Sequence, residues 1–459
     1  MGSKRKNRKR KGRRALAVAP ITVIRPNVAG IDLASKMHWV AAPPNADGTA
    51  NVETFGSTTP ELERLARWLL GQGVESAAME STSVYWIPLY ELLESRGIEV
   101  LLVNARQMHH VPGRKSDMAD CQWLQVLHSC GLLKGSFRPG EQVCRLRSVQ
   151  RERANVTGDR TRLVQRMQKA LDQMNVQVHR ALSDITGKTG MAIVRAIADG
   201  ERDPAVLAGL RDPRCKKSEA EIVEHLTGNW RPDHLFNLKR VLEMYDAVQR
   251  VLEKYDREIL DCLRHIEPSG RGGLEPGPHP TPSKQREMTK CGDQPLRTGL
   301  WRAAGVDLTR IDGIGAEAAK VVLSEIGTDL SMFPSEGNFV SWLGLAPNNP
   351  SSGGKVLKKK NKGTGAGRAA AVLRMSAVSL KDSKTAAGAS YRRLARRKDG
   401  SLAVFATARR LAVLIYRMLK YGAEYVDEGA EAYEERFRRK RLKSLEGSAS
   451  SLGFKLVRV

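Results

Sequence analysis

Val28-Ala29-Gly30-Ile31-Asp32-Leu33-Ala34-Ser35-Lys36-Met37-His38-Trp39-Val40-Ala41-Ala42 decides how the first third of the chain folds. Two short apolar runs, 28–33 and 38–42, flank four turn-forming residues, so the stretch reads as a β-hairpin. Val52–Phe55 adds a third strand. Thr59 with Pro60 behind it opens a helix through Leu62, Leu65, Leu69 and Leu70 that stops at Gly71 and Gly73. A strand over Val74–Met79, a helix over Val84–Arg96, a strand over Ile98–Val103 and a helix over Ser116–Cys130 follow. Three strands, then helix, strand, helix, strand, helix, make residues 21–135 an α/β domain built on a sheet.

Asp32 interrupts the apolar run of the first strand, where an unpaired charge is costly to bury. It therefore calls for a cation or a function. Glu80 stands where the fourth strand leaves the sheet for Ser81-Thr82-Ser83, and strand ends are where open α/β sheets hold ligands. Asp117 and Asp120, three apart at a helix start, share one face and the positive end of the helix dipole. Convergent carboxylates without His or Cys suit Mg²⁺, a hard cation that takes oxygen ligands. Each acid alone reads sooner as a cap or a solvated side chain; Asp117, after Ser116, is well placed to cap. His109 and His110 read as phosphate contacts or surface residues.

Composition points to a polyanionic partner. Lys and Arg number 76 against 50 Asp and Glu, a formal charge of +26. Such an excess favours nucleic acid, whose condensed counterions are released on binding. No run reaches the roughly 20 apolar residues that span a bilayer, so a soluble cytoplasmic protein without a membrane partner is expected. The six cysteines contain no C-x-x-C pair and read as reduced thiols.

The remaining chain divides by character. Residues 1–20 begin with nine Lys or Arg in the first fourteen positions and read as a basic disordered arm. Residues 136–267 are helical. One stripe runs Val156, Leu163, Met167, Leu171, Met174, Val178, and a heptad seam runs Leu238, Val241, Tyr245, Val248, Leu252, Tyr255, Ile259, Leu263. Together they suggest an antiparallel coiled-coil hairpin or a dimer arm. Residues 268–299, with six prolines, read as a linker. Residues 300–428 form a mainly α C-terminal domain, and 429–459 a second basic tail.

Two features of the C-terminal domain bear on chemistry. Ile311-Asp312-Gly313-Ile314-Gly315 before an apolar helix fits a helix-hairpin-helix turn, in which Gly313 and Gly315 let backbone N–H groups approach phosphate. A plain helix connection fits it as well. Ser351-Ser352-Gly353-Gly354-Lys355 lies in a stretch without an acid from Gly337 to Lys381 that carries Lys355, Lys358, Lys359, Lys360, Lys362, Arg368 and Arg374. A serine flanked by glycines and cations could attack a phosphodiester. A basic phosphate-binding loop without chemistry has the same composition.

These motifs together resemble the transposases of the insertion-sequence 110 family: Gly30-Ile31-Asp32, Met79-Glu80-Ser81-Thr82, Gly113-Arg114-Lys115-Ser116-Asp117-Met118-Ala119-Asp120, the Ile311–Gly315 turn, and Gly344-Leu345-Ala346-Pro347 leading to Ser352-Gly353-Gly354-Lys355. The resemblance covers most of residues 21–425 in order. It implies an RNase H-like, RuvC-like first domain whose Asp32, Glu80, Asp117 and Asp120 bind Mg²⁺, and a C-terminal transposase domain supplying a nucleophilic serine. That serine is Ser352 by motif, with Ser351 the alternative. It further implies a bridge RNA that pairs with donor and target DNA, and homo-oligomers from dimer to tetramer in which one subunit's carboxylates meet another's serine. The basic arm, the 268–299 segment and the tail have no counterpart in these motifs. Two rival readings stay open: a junction nuclease using the four carboxylates and water, and a noncatalytic nucleic-acid-binding scaffold.

Overall fold

The computed structural model describes residues 22–81, 83–104, 117–182, 184–215, 217–268, 275–347, 351–352, 355–356, 367–397, 399–422, 429–455 and 457. The chain forms two compact units that meet in sequence between Arg138 and Pro139.

The first unit is an α/β sandwich. Its strands are β1 (Val28–Leu33), β2 (Met37–Ala42), β3 (Asn51–Gly56), β4 (Ser76–Glu80) and β5 (Glu99–Val103), in the order β3-β2-β1-β4-β5. The hairpin strands β1, β2 and β3 pair antiparallel, whereas β1–β4 and β4–β5 pair parallel. Helix α1 (Thr59–Gly71) provides the crossover from β3 to β4, α2 (Trp86–Ser95) that from β4 to β5, and α3 (Asp117–Ser129) follows.

Side-chain alternation assigns the two faces of the sheet. Ala29, Ile31 and Leu33 of β1 pack with Ala77 and Met79 of β4 against Leu62, Leu65 and Leu69 of α1 and Leu89 and Leu93 of α2. Gly30 and Asp32 turn to the opposite face, which α3 covers through Leu124 against Ala78 and Val103. The expected element order is found, with boundaries moved by at most two residues. The fourth strand starts at Ser76 instead of Val74, because the Val74 N–H is spent on the Leu69 carbonyl at 3.1 Å in closing α1.

The second unit is mainly helical. Its longest members, α4 (Glu141–Gln173) and α9 (Pro232–His265), run antiparallel, as the cross-links Arg145–Glu258, Arg153–Asp256 and Arg160–Gln249 establish. The heptad seam thus closes within the chain. Leu238, Val241, Tyr245, Leu252, Ile259 and Leu263 are all buried. The expected α4 stripe needs correction at its end: the helix stops at Gln173, Asn175 takes φ 57°, and Val178 belongs to α5 (Val178–Ala181). Helices α5, α6 (Lys188–Asp199), α7 (Pro204–Gly209) and α8 (Glu219–Leu226) make a small bundle with the adjoining ends of α4 and α9 around Met167, Ile193, Leu207 and Ile222.

The segment expected as a linker carries α10 (Pro282–Cys291) and the start of α11 (Gln294–Ala304). Pro282 and Pro295 sit in first turns, where a missing N–H costs nothing, so these prolines open helices. His279, Met288 and Arg297 are buried. Then come α12 (Ala316–Ile326), α13 (Glu336–Trp342), the ribbon β6 (Ser351–Ser352) and β7 (Lys355–Val356), α14 (Arg368–Ser379), α15 (Ala386–Arg397), α16 (Gly400–Tyr421) and α17 (Gly429–Ser451). The expected basic tail is therefore helical over 429–451. Arg151 binds the buried Glu325 carboxylate at 2.9 and 2.7 Å, and Arg147 donates to the Ser324 and Glu325 carbonyls at 3.2 and 2.6 Å, joining α4 to the C-terminal end of α12.

Candidate active site

Parallel pairing of Gly30 with Ala78 and Ile31 with Met79 puts Asp32 and Glu80 at the same level of neighbouring strands. Both are half-buried. Each lies two residues beyond a small residue, Gly30 or Ala78, that α3 covers, so both belong to the α3 face. The Glu80 backbone is fixed by the strand behind it, since Ser81 donates from N and Oγ to the Val103 carbonyl at 2.9 and 3.2 Å. Ser83 then turns the chain at φ 55°, with Trp86 Nε1 donating to its carbonyl at 3.1 Å.

Gly30 sets how closely α3 approaches. A β-carbon there would stand 2.2 Å from the Cys121 carbonyl oxygen and 2.3 Å from the Gln125 nitrogen. Cys121, Leu124, Gln125 and His128, four of the buried residues of α3, are spaced as one helical face. Asp120 precedes Leu124 by four residues, so it stands at the N-terminal end of that inner face. Asp120 is half-buried; the Asp117 side chain, like His109, His110 and Ser116, lies outside the described residues.

The same arrangement has an electrostatic consequence at Cys121. Burial pushes the Cys121 thiol up to about 12, and the charges of Asp32 and Asp120 add to the rise. Carboxylates from β1 and from α3 therefore bear on one thiol. Sγ donates to the Met118 carbonyl at 3.2 Å. At the far end of α3, buried His128 shares a 2.8 Å hydrogen bond with Ser76 Oγ, and burial holds its pKa below the ordinary value.

Among the described residues, no group of three or more His, Cys, Asp or Glu side chains is gathered closely enough to hold a metal ion. The donors themselves suit a hard divalent cation: Asp32, Glu80 and Asp120 offer carboxylate oxygens on one sheet face and its covering helix. The neighbouring Cys121 is a protonated thiol, and His128 is engaged with Ser76.

In the second unit, Ser352 pairs with Lys355 and Ser351 with Val356 across the β6–β7 ribbon, so the expected loop contains a hairpin. Gly353-Gly354 connects its strands in sequence, a pair suited to tight hairpins. The side chains of Ser351, Ser352 and Lys355, and all of Lys358, Lys359, Lys360 and Lys362, lie outside the described residues. Arg368 is exposed at the start of α14.

The two turn glycines differ. Gly313, at φ 80°, is packed against the chain's own α14, where a β-carbon would meet the Ser376 carbonyl oxygen at 2.8 Å. Gly315 is exposed at the N-terminus of α12, with nothing within 4 Å of its β-carbon position. Sequence reading missed the arginines of α15, although their signal, Arg392-Arg393 and Arg396-Arg397 four apart, is plain once a helix is placed there.

A family model described as "Transposase", of the DEDD IS110 type, matches residues 29–176. A second, described as "Transposase IS116/IS110/IS902 family", matches residues 305–392. The first match contains Asp32, Glu80, Asp117 and Asp120; the second contains the Gly313–Gly315 turn and Ser352. No curated protein matches the chain. No helix among the described residues is long and apolar enough to cross a membrane.

Proposed function

The chain belongs to the IS110 family of transposases, and from that premise we propose that it cuts and rejoins DNA strands through a serine nucleophile, Ser352, assisted by Mg²⁺ held between Asp32, Glu80, Asp117 and Asp120. Family membership makes it a DNA-processing enzyme, and a DEDD transposase domain implies an RNase H-like fold, in keeping with the five-stranded mixed sheet. RuvC-like organisation, serine chemistry, guidance by a bridge RNA that pairs with donor and target DNA, and assembly as dimer to tetramer are the finer parts of this proposal.

The observation that carries it is the shared face of Asp32 and Glu80 beneath α3, with Asp120 on that helix and Asp32 and Asp120 acting on the same thiol. When bound, Mg²⁺ would supply a Lewis acid that neutralises charge on the phosphate oxygens. The remaining steps fall to the chain itself. Ser352 Oγ attacks phosphorus and loses its hydroxyl proton, one DNA P–O bond breaks as one serine–phosphate bond forms, and the leaving DNA oxygen takes up a proton, so the exchange is proton-neutral. Ester exchange conserves the bond for rejoining, so no high-energy cofactor is required. Lys355 stands opposite Ser352 in the ribbon, which favours cationic stabilisation of the pentavalent phosphorus. Gly315 at the open start of α12, and Lys358, Lys359, Lys360, Lys362 and Arg368, would hold phosphates nearby; Gly313 would contribute by shaping the turn.

The test is trapping of protein–DNA adducts under denaturing conditions with Mg²⁺ and DNA carrying the element's ends. Ser352→Ala should abolish the adduct while nucleic-acid binding persists. An adduct that survives in Ser352→Ala overturns the serine assignment, and free cut ends without any adduct in the parent protein would favour water as the nucleophile.

A further inference from the structure

Helices α15 and α17 enclose a cleft of about 660 Å³ lined by Arg393, Arg397, Arg438 and Arg441 above Phe437. It adjoins a second cleft of about 310 Å³ that extends to Arg392 and Arg396. The lining contains one carboxylate, Glu434, and Arg393 already pairs with it. Arg393 lies over the Phe437 ring with its guanidinium carbon 3.2 Å from the centroid, and its Nη1 is buried without a hydrogen-bond partner among the described residues. Arg396, Arg397, Arg438 and Arg441 are exposed.

Arg392 is engaged with the Lys381 and Ser383 carbonyls, and the other five arginines around one acid repel one another, a repulsion that a bound anion relieves. Guanidinium groups recognise phosphate through paired N–H donors, and the exposed Arg397, Arg438 and Arg441 present such donors to the cleft. The arginines recur at helical spacing along both walls, Arg393 and Arg397 on α15 and Arg438 and Arg441 on α17. A repeating anion matches that row better than a single small one.

We propose that the α15–α17 cleft is a binding site for the phosphodiester backbone of a nucleic-acid strand, positioning it without reading bases. Two helices in direct contact leave a trough for one strand's phosphates; they do not form a channel for a whole duplex. The proposal rests on the reading of the chain as a nucleic-acid-processing enzyme and adds a site to it, separate from the β6–β7 ribbon.

The experiment compares the full-length protein with Arg438→Ala/Arg441→Ala and with Arg439→Ala. Arg439 serves as the control because it pairs with Glu435 at 3.1 Å and does not line the cleft. Fluorescence anisotropy would use mixed-sequence single-stranded DNA, the matching RNA and the matching duplex DNA, over about 0.05–0.2 M salt. The double variant should bind on the order of tenfold more weakly whatever the sequence. Its slope of log affinity against log salt should fall by about 1.4 on a single strand and about 1.8 on a duplex, two contacts' worth. Whichever of the three probes shows the fall identifies the strand type. Equal affinity and slope for parent and double variant, or an equal loss with Arg439→Ala, overturns the cleft assignment alone. A parent that binds none of the three overturns the underlying reading as well.

Discussion

The carbonyl oxygen of Cys121 lies 2.2 Å from where a β-carbon on Gly30 would have to be. Strand β1 and helix α3 thus touch backbone to backbone, two residues from Asp32 and one from Asp120. The separation of the two carboxylates is set by a missing side chain.

Gly30→Ala should therefore force α3 away from the sheet. The obstructing atoms are backbone, which cannot swing aside, and overpacking of this kind costs about 1–3 kcal/mol or more. Chemical denaturation would measure the loss, and alkylation mapped by mass spectrometry would show Cys121, protected by burial in the parent, becoming reactive. Gly71→Ala makes the contrast. Its β-carbon would meet nothing within 4 Å, so stability should hold or rise by up to about 1 kcal/mol.

The buried pair Arg297–Asp307 gives a second prediction. Arg297 donates to Asp307 Oδ2 at 3.1 and 2.6 Å and to the Gly277 carbonyl at 3.0 Å, while Asp307 Oδ1 accepts from Thr309 N and Oγ1 at 3.1 and 2.6 Å. Arg297→Met strands the carboxylate and should cost about 3–5 kcal/mol. Arg297→Met/Asp307→Leu should recover much of that in the same denaturation experiment, because the pair's net worth is small beside the penalty for leaving one charge alone.

His38, His128 and His279 each contribute to a loss of stability in mild acid. Burial lowers all three pKa values below the ordinary 6.5. The unfolded chain then binds protons first as pH falls, so stability is full above about pH 6.5 and declines below it, through the lowered folded values. His38 faces Leu33 and Phe55 across its strand pairs, and its Nδ1 lacks a hydrogen-bond partner among the described residues. His38→Leu should leave stability at neutral pH equal or higher and flatten the decline between pH 6.5 and 5, as thermal midpoints across that range would record. An unchanged slope would count against His38 as a contributor.

How much of this was legible in sequence follows from what each signal depends on. The sheet could be read because period-two apolar runs and glycine stops are local, and Asp32 stood out as a charge inside one such run. Gly30 was visible as part of a motif, but the helix backbone it admits, at Cys121 and Gln125, is far from it in sequence. The 268–299 segment misled because prolines that begin helices look in composition like prolines that prevent them; the stops at Gly292 and Gly305, both at positive φ, are the corroborating sign. Arg297 was passed over because burial of a guanidinium depends on a carboxylate ten residues away folding back onto it. At the proposed carboxylate site, the helix that carries Asp120 was legible from its spacing, whereas bringing that helix to β1 required tertiary packing.

The final prediction concerns how the α4–α9 hairpin is fastened to α12. Glu325 is buried, with its side chain 9% exposed, and Arg151 reaches it through two nearly parallel hydrogen bonds from a position itself 47% exposed. Arg147 lies 3.7 Å from the same carboxylate while it caps the α12 carbonyls. A double-mutant cycle over Arg151→Ala and Glu325→Gln should return a coupling of about 1–2 kcal/mol, the lower part of the range for charge-assisted bonds because solvent screens half of Arg151. Arg147→Ala should destabilise even in the Glu325→Gln background, since its bonds to the Ser324 and Glu325 carbonyls do not depend on the carboxylate charge. If Arg147→Ala becomes silent there, the helix-end contacts contribute nothing of their own and the fastening is the ion pair alone.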